Sequence, residues 1–486
     1  MRRGSGRAFE EGRVLSVEGP LPNRSPAYPI FVAGCATRVS FPAFSVAQGQ
    51  RFVADYRPMT EAQINPTLHK VATALTVAIV IWLSYAGVNH ALASHYGASS
   101  NPDDWPRASK IEPANAENWY RLGRYRQLDF EHSDLPLAIS YYRRAVQLDP
   151  HSPFYKLDLA GALEIAGNDA EAEKYFRAAQ ENYPISAEVS WRYGNYLLRQ
   201  QRLPEAYAEI HRAVVVDSKL LPLAVSRAWH SDPDVRVLLD QVLPKTAEGD
   251  WEALSFLVQA QEGAAALAVW NHLIGLHPSI DRKTTLFAFI DMLVSQDRFD
   301  EAGSVWRQAT AAEGAFPPAS PAGSLVFDGG FESDPSNGGF GWRQQDVAGA
   351  DFDFDTEEKH SGSRAARVIF DRTQNLSYEY LFQWVLVAPA TRYRFRGFLR
   401  TDQISTDSGM RFEIIDPRRP KDLDVLTPNE TGTQPWTMEE VEFTTGAQTH
   451  LIRIALRRLP SARLDNKISG TVWVDDVALL PAGAPR

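Results

Sequence analysis

The chain has 486 residues, 44% of them hydrophobic and 23% charged, with a formal net charge of −10; this is the composition of folded protein, in about three domains. No Lys/Arg block interrupts the acidic balance, which disfavours nucleic acid as a partner, because affinity for phosphate backbones rests on clustered basic residues. A single cysteine, Cys35, excludes an intrachain disulfide framework and a cysteine-based zinc site.

Residues 1–66 show no sustained periodicity and read as a disordered or mis-annotated extension, with Met59 as an alternative start. Within them Val32-Ala33-Gly34-Cys35 matches a lipoprotein cleavage box. The stretch before it is short and broken by Pro26 and Pro29, whereas such a signal needs a continuous apolar core, so a loop cysteine is the preferred reading.

Residues 71–88 then run for 18 positions without a charge. At about 1.5 Å per residue this just spans a bilayer's hydrocarbon core, and 67–92 is expected to be a transmembrane helix. Trp82 and Tyr85 suit an interfacial position near its far end. Arg51, Arg57 and Lys70 precede it, while Asp103 and Asp104 follow. The positive-inside rule places the N-terminus in the cytoplasm and the remainder outside, in a single-pass inner-membrane arrangement. A cleaved signal ending at Ala91-Leu92-Ala93 is the alternative; the apolar run is longer than an ordinary signal core, which favours a retained anchor. A polar spacer, 93–114, follows.

From 115 the pattern becomes helical and repeats. Ala138, Ala172 and Ala206 are 34 residues apart, as are Tyr142, Phe176 and Ile210, and again Ala145, Ala179 and Ala213. Within each repeat these residues fall at i, i+4 and i+7, one stripe of an α-helix, with small residues where a neighbouring helix approaches and a bulky one between. Pro150 and Pro184 keep the interval and end the helices, since proline cannot continue the hydrogen-bond ladder. With Trp119-x-x-Leu122-Gly123 opening the first copy, this resembles the tetratricopeptide repeat. The first copy carries about three extra residues near 128–133. The stripe returns at Ala266, Trp270 and Leu273 and at Ala302, Trp306 and Ala309, with a degenerate pair over 220–244. About six hairpins are therefore expected over 115–312, stacked as a solenoid. The resemblance implies a protein partner on the concave face.

A Pro/Ala/Ser-rich linker at 313–323 separates this from β-type sequence at 324–482, where period-2 runs cover 366–370, 378–387, 393–399, 410–415, 437–444, 451–456 and 471–480. The expected fold is multidomain: one N-terminal transmembrane helix, an all-α solenoid and an all-β jelly-roll sandwich.

Asp328-Gly329-Gly330-Phe331-Glu332, Gly341-Trp342, His360-Ser361-Gly362-Ser363, the run from Gln383 to Tyr393, Trp436, and Val474-Asp475-Asp476-Val477 together resemble the carbohydrate-binding modules of the galactose-binding-like group. The resemblance implies a sandwich that binds polysaccharide or serves structurally, and a structural calcium, with Glu332 and Asp475 at the places of its carboxylate ligands. Trp342, Trp436 and Trp473 stand at structural positions of that pattern. Tyr378, Tyr380, Phe382 and Trp384 alternate, which would put all four on one strand face. Tyr378, Tyr380 and Trp384 are the candidate glycan contacts; the competing reading is that the row is core. Asp351, Asp353 and Asp355, and Arg392, Arg394 and Arg396, alternate as charged rows better explained by a solvated face and by cross-strand pairing.

No catalytic motif is present: no Gly-x-Ser-x-Gly, phosphate loop, His-Glu-x-x-His or dinucleotide fingerprint. The expected function is that of a non-enzymatic, membrane-anchored scaffold outside the cytoplasm, in exopolysaccharide or envelope assembly. A protein-assembly factor with a purely structural sandwich, or an accessory subunit of a glycan-processing enzyme, are the alternatives.

Overall fold

The computed structural model describes residues 66–312 and 323–482, so the N-terminal extension with Cys35 and Met59, and nearly all of the linker, lie outside the described residues. By its internal contacts the chain divides into 1–78 and 79–486. The described part of the first unit is helical and opens α1 (Pro66–Gly97). Among the described residues one helix is long and apolar enough to cross a membrane. It covers His69–Gly97, with a mean hydropathy of 2.0, and none of its most apolar window is buried. The Thr73 and Thr76 hydroxyls donate to the His69 and Ala72 carbonyls at 2.8 and 2.9 Å, which satisfies them within the helix.

In the second unit, the polar spacer 93–114 carries the end of α1 and two short helical segments. Ala93, at the end of the alternative cleavage site, lies inside α1 and is buried. The Asn101 side chain accepts from the Asp103 N–H and caps a turn at Pro102–Asp104, which leads into α2 (Trp105–Ile111). The Trp105 ring stands edge-on to Tyr125 at 5.5 Å, and Arg121 donates to the Gly97 carbonyl.

Six helical hairpins follow. They pair α3 (Ala116–Leu128) with α4 (Leu135–Leu148), α5 (Pro153–Ile165) with α6 (Asp169–Asn182), and α7 (Ala187–Arg199) with α8 (Leu203–Val216). The degenerate fourth sets α9 (Leu221–Ser231) against a single turn, α10 (Val235–Val237), that widens into a π-turn at Leu238–Val242. The last two pair α11 (Ala247–Gln259) with α12 (Gly263–Gly275), and α13 (Lys283–Ser295) with α14 (Phe299–Ala311). The extra residues of the first copy sit in its 129–134 turn, against 166–168 and 200–202 in the next two. The nine stripe residues of the first three copies, and Ala266, Trp270, Leu273, Ala302 and Ala309, are buried. A Cβ on Gly123 would stand 2.6 Å from the Tyr142 ring, so the small residue of α3 is what lets α4 close on it.

The sandwich contains ten strands. They are β1 (Trp342–Gln344), β2 (Ala350–Asp355), β3 (Ala365–Asp371), β4 (Leu381–Leu386), β5 (Arg392–Ile404), β6 (Arg411–Ile415), β7 (Asp424–Leu426), β8 (Gly432–Thr444), β9 (Leu451–Arg457) and β10 (Ser469–Pro481). They form two five-stranded sheets, in the orders β1-β4-β9-β6-β7 and β2-β3-β10-β5-β8, and every pairing is antiparallel. The inward residues Val368, Phe395, Phe412, Ile454 and Val472 fill the space between the sheets. β1, β2 and β7 lay outside the seven period-2 runs.

Candidate functional site

The aromatic row does not behave as a unit. β4 begins only at Leu381, and from there burial alternates: Leu381, Gln383 and Val385 face the core, while Phe382, Trp384 and Leu386 face outward and are half-buried. Gln383 is tolerated inside because its amide closes a pair of 2.8 Å hydrogen bonds with the Phe327 backbone, accepting from the N–H and donating to the carbonyl. Tyr378 precedes the strand, bridged to Arg458, and is 2% exposed. Its ring packs edge-on to Phe370 at 5.6 Å and to Tyr380 at 5.7 Å. It is a core residue and cannot offer a face to a sugar, which corrects its place among the glycan candidates.

Trp384 has a different fate. The end of the solenoid docks on this half of the outer sheet face, and Trp384 and Leu386 pack against the hydrophobic cluster that runs through α11–α14. The centre of the seam is Trp306 of α14, edge-on to Phe327 at 5.1 Å and to Phe340 at 6.0 Å. Gly339 adopts a φ of +55°, and a Cβ there would lie 2.5 Å from the Trp306 ring, so this position has both reasons to be glycine. Around the rings, Arg343 donates to Asp291 at 2.6 Å, Arg418 pairs with Asp297, and Phe299 stacks on His450 at 5.4 Å. Cavities of about 490 and 510 Å³ flank the seam.

The other half of the same outer face lies beyond the cluster that receives Trp384 and Leu386. Phe382 borders it, with the Arg453 guanidinium 5.9 Å from the centre of its ring, while half-buried Tyr380, just before β4, packs against the core between the sheets. Arg453 bridges Glu379 and Glu413 at 2.7 Å each, and Arg457 reaches Glu413 at 3.1 Å. Arg411 on β6 stands directly across from Arg457 on β9. Among the described residues Arg411 has no ion pair and no side-chain hydrogen bond, and its Nε is buried without a partner, as is that of Arg453. Burial, and then the Arg457 charge, hold Arg411 below the ordinary arginine value. Period-2 reading could not find this cluster, because it forms across strands far apart in sequence.

Glu332 and Asp475 both fasten one loop. Asp475 is fully buried and its Oδ2 accepts from the His360 and Ser361 N–H groups at 2.9 Å each, while its Oδ1 accepts from Asp476 N–H at 2.8 Å. The Glu332 carboxylate accepts from Ser363 N–H at 2.9 Å and from its hydroxyl. These hydrogen bonds hold the 360–363 loop between the two carboxylates. Carboxylate oxygens suit calcium, but among the described residues no three His, Cys, Asp or Glu side chains converge as a metal site. A bound ion would need backbone carbonyls to complete its shell. Burial pushes the Asp475 carboxyl up to about 6, against the pull of its N–H donors. Buried Glu439, beside Glu430, is pushed up to about 7, by desolvation first and the Glu430 charge second.

In the charged rows Asp353, Asp355, Arg392 and Arg394 are paired across strands. Arg367 on β3 holds Asp353 and Asp355, and Trp473 Nε1 donates to Asp355 at 2.9 Å. Arg392 and Arg394 share Glu442. Trp342 is buried, its Nε1 donating to the Asp328 carbonyl at 2.9 Å, whereas Trp436 is half-buried near His360.

No protein-family model matches the chain, and no curated protein does. Among solved structures the chain is similar to YrrB, a TPR protein with an unusual peptide-binding site, at 13% identity over 43% of this chain and 92% of that one, with a TM-score of 0.23. It is also similar to the CBM22-1 xylan-binding domain of Paenibacillus barcinonensis Xyn10C, at 14% identity over 34% of this chain and 100% of that one, TM-score 0.25. A third similar structure holds the CBM22-1 and GH10 modules of Clostridium thermocellum endo-1,4-beta-D-xylanase 10B with xylohexaose, at 13% identity over 29% of this chain, TM-score 0.22; this chain covers 26% of that one. The architecture itself rests on the helices and strands: a solenoid of helical hairpins followed by a two-sheet antiparallel sandwich.

Proposed function

We propose that this chain is a non-enzymatic scaffold, anchored in the cytoplasmic membrane by α1, that carries a protein partner on its solenoid and a polysaccharide on its sandwich outside the cytoplasm, in envelope or exopolysaccharide assembly. One observation carries the glycan part: beyond the solenoid contact, the β4–β9–β6 face sets the Phe382 ring beside an Arg/Glu cluster, with Tyr380 two residues before it in the chain. Flat rings with polar groups at their edges suit the C–H faces and hydroxyls of a sugar chain. For the solenoid, the first helices of successive hairpins are tied together by Tyr120 donating to Asp158 and Arg192 donating to the same carboxylate, each at 2.7 Å, which gives a pre-organised surface for a partner. The charge asymmetry around α1 supports the topology. Were calcium bound, Glu332 and Asp475 would be its carboxylate ligands and it would brace the 360–363 loop.

Affinity electrophoresis of the detergent-solubilised full chain through gels containing polysaccharides tests the glycan part. Retardation that weakens in a Tyr380→Ala, Phe382→Ala double variant is expected; free migration in every gel would refute it. Protease added to spheroplasts should digest the solenoid, and protection until lysis would reverse the topology.

The second reading, a sandwich that only caps the solenoid, is favoured by the Trp306 seam, because a terminal repeat needs its apolar end covered. It gains if no glycan is bound while the seam proves essential for folding.

A further inference from the structure

We propose that the half of the β4–β9–β6 face beyond the solenoid contact takes an acidic polysaccharide, a uronate-type polymer, and that Arg411 receives its carboxylate. This rests on the glycan reading above and names the ligand. Three guanidiniums, those of Arg411, Arg453 and Arg457, meet two carboxylates, those of Glu379 and Glu413. The carboxylates are committed to Arg453 and Arg457, whose side chains are 20% and 14% exposed. Arg411 is left opposite Arg457 in the sheet register, half-buried and without a counter-ion among the described residues. Like charges directly opposite on a sheet repel, and an uncompensated, partly desolvated charge is costly. A ligand carboxylate would cancel both penalties at once, since a guanidinium binds it through two parallel N–H bonds.

Geometry sets the size of the ligand. Neighbouring strands lie about 4.8 Å apart and β9 separates β4 from β6, so Arg411 is roughly 10 Å across the sheet from the Phe382 strand. A single sugar ring does not reach from the rings to the guanidinium, whereas a chain does. The whole protein is acidic, at −10, so attraction of a polyanion must come from this local excess of arginine and should be sensitive to salt.

The test runs the detergent-solubilised full chain through native gels containing polygalacturonate, alginate or hyaluronate, beside methyl-esterified polygalacturonate, xylan and dextran. The expected result is retardation by at least one acidic polymer, weakened by salt, with Arg411→Gln raising the apparent Kd about tenfold, the effect of one lost charge-assisted contact. Arg411→Lys should recover part of it. Without ligand, Arg411→Gln should leave the melting temperature unchanged or raised. Equal retardation by neutral polymers with no effect of Arg411→Gln would overturn this inference and leave the glycan reading standing. Free migration in every gel would overturn both. A marked drop in melting temperature for Arg411→Gln would assign Arg411 a structural role and sink the proposal.

Discussion

One sheet face has two fates. On β4, Trp384 and Leu386 are covered by the solenoid, while half-buried Phe382, on the same face and in edge-to-face contact with Trp384 at 6.0 Å, stands outside that contact and beside Arg453. Their alternation along the strand is identical, so strand periodicity decides only which side of the sheet a residue takes. What lies over that side is decided by an element far away in sequence. Nothing local to β4 distinguishes a docking ring from one outside the contact.

The comparison breaks most readily at its covered half. Trp306→Ala removes the ring at the centre of the seam and should cost about 3–5 kcal/mol, the usual penalty for deleting a buried aromatic. Thermal unfolding of the full chain should then resolve separate transitions for solenoid and sandwich; one unaltered transition would show that the seam contributes nothing.

The next largest effect is expected at two buried carboxyls of the sandwich. Asp475, held at about 6, and Glu439, at about 7, both keep a proton in the folded state that an unfolded carboxyl, near 4, has released. Stability should therefore be complete below about pH 4 with respect to these groups and fall as pH rises through 6 to 7. At about 1.4 kcal/mol per unit, Asp475 alone accounts for roughly 3 kcal/mol. Melting at pH 5 and 8 should show the drop, and Asp475→Asn should flatten its lower part. Calcium binding to Glu332 and Asp475 would favour the ionised form, so added calcium should raise the melting temperature at pH 8 and EDTA lower it; no response would leave the hydrogen bonds as the whole junction.

Ala172→Leu, at the buried contact of the second hairpin, should cost about 1–3 kcal/mol by overpacking. Because neighbouring repeats share interfaces, the loss should reach the flanking hairpins and leave the sandwich transition in place. An unchanged solenoid melt would contradict the packing described. The smallest effect is expected at the rim of the seam: Asp291→Asn breaks the pair with Arg343 but should cost only about 0.2–1 kcal/mol, since Asp291 is half exposed and screened. A loss as large as that for Trp306 would show that charge, not ring packing, holds the two parts together.

The repeats were legible because each stripe residue reports a helix contact made within the next few tens of residues. Ala138, Tyr142 and Ala145 meet their own hairpin partner, so spacing alone carries the information. The longer strands were legible for a different reason: their partners are distant, but alternation of inward and outward residues along each strand is itself local. β7 is three residues long, too short to show a period. Tyr378 was misplaced because the chain bridges to Arg458 before β4 begins, which breaks the alternation that Tyr380 to Trp384 had suggested. Arg411 went unnoticed because its significance lies in facing Arg457 on another strand.

Helix α8, in the third hairpin, bears on how the molecule opens. The solenoid interior is two clusters: one from Ala138 to Ala206, the other from Tyr207 through the last helices to Phe327, Phe340 and Leu451 of the sandwich. Amide exchange should accordingly report two cooperative units whose border falls within α8. The later repeats should gain protection from the sandwich, while the first three hairpins exchange on their own clock, closest to α1 in the chain and free to loosen without releasing whatever the sandwich holds.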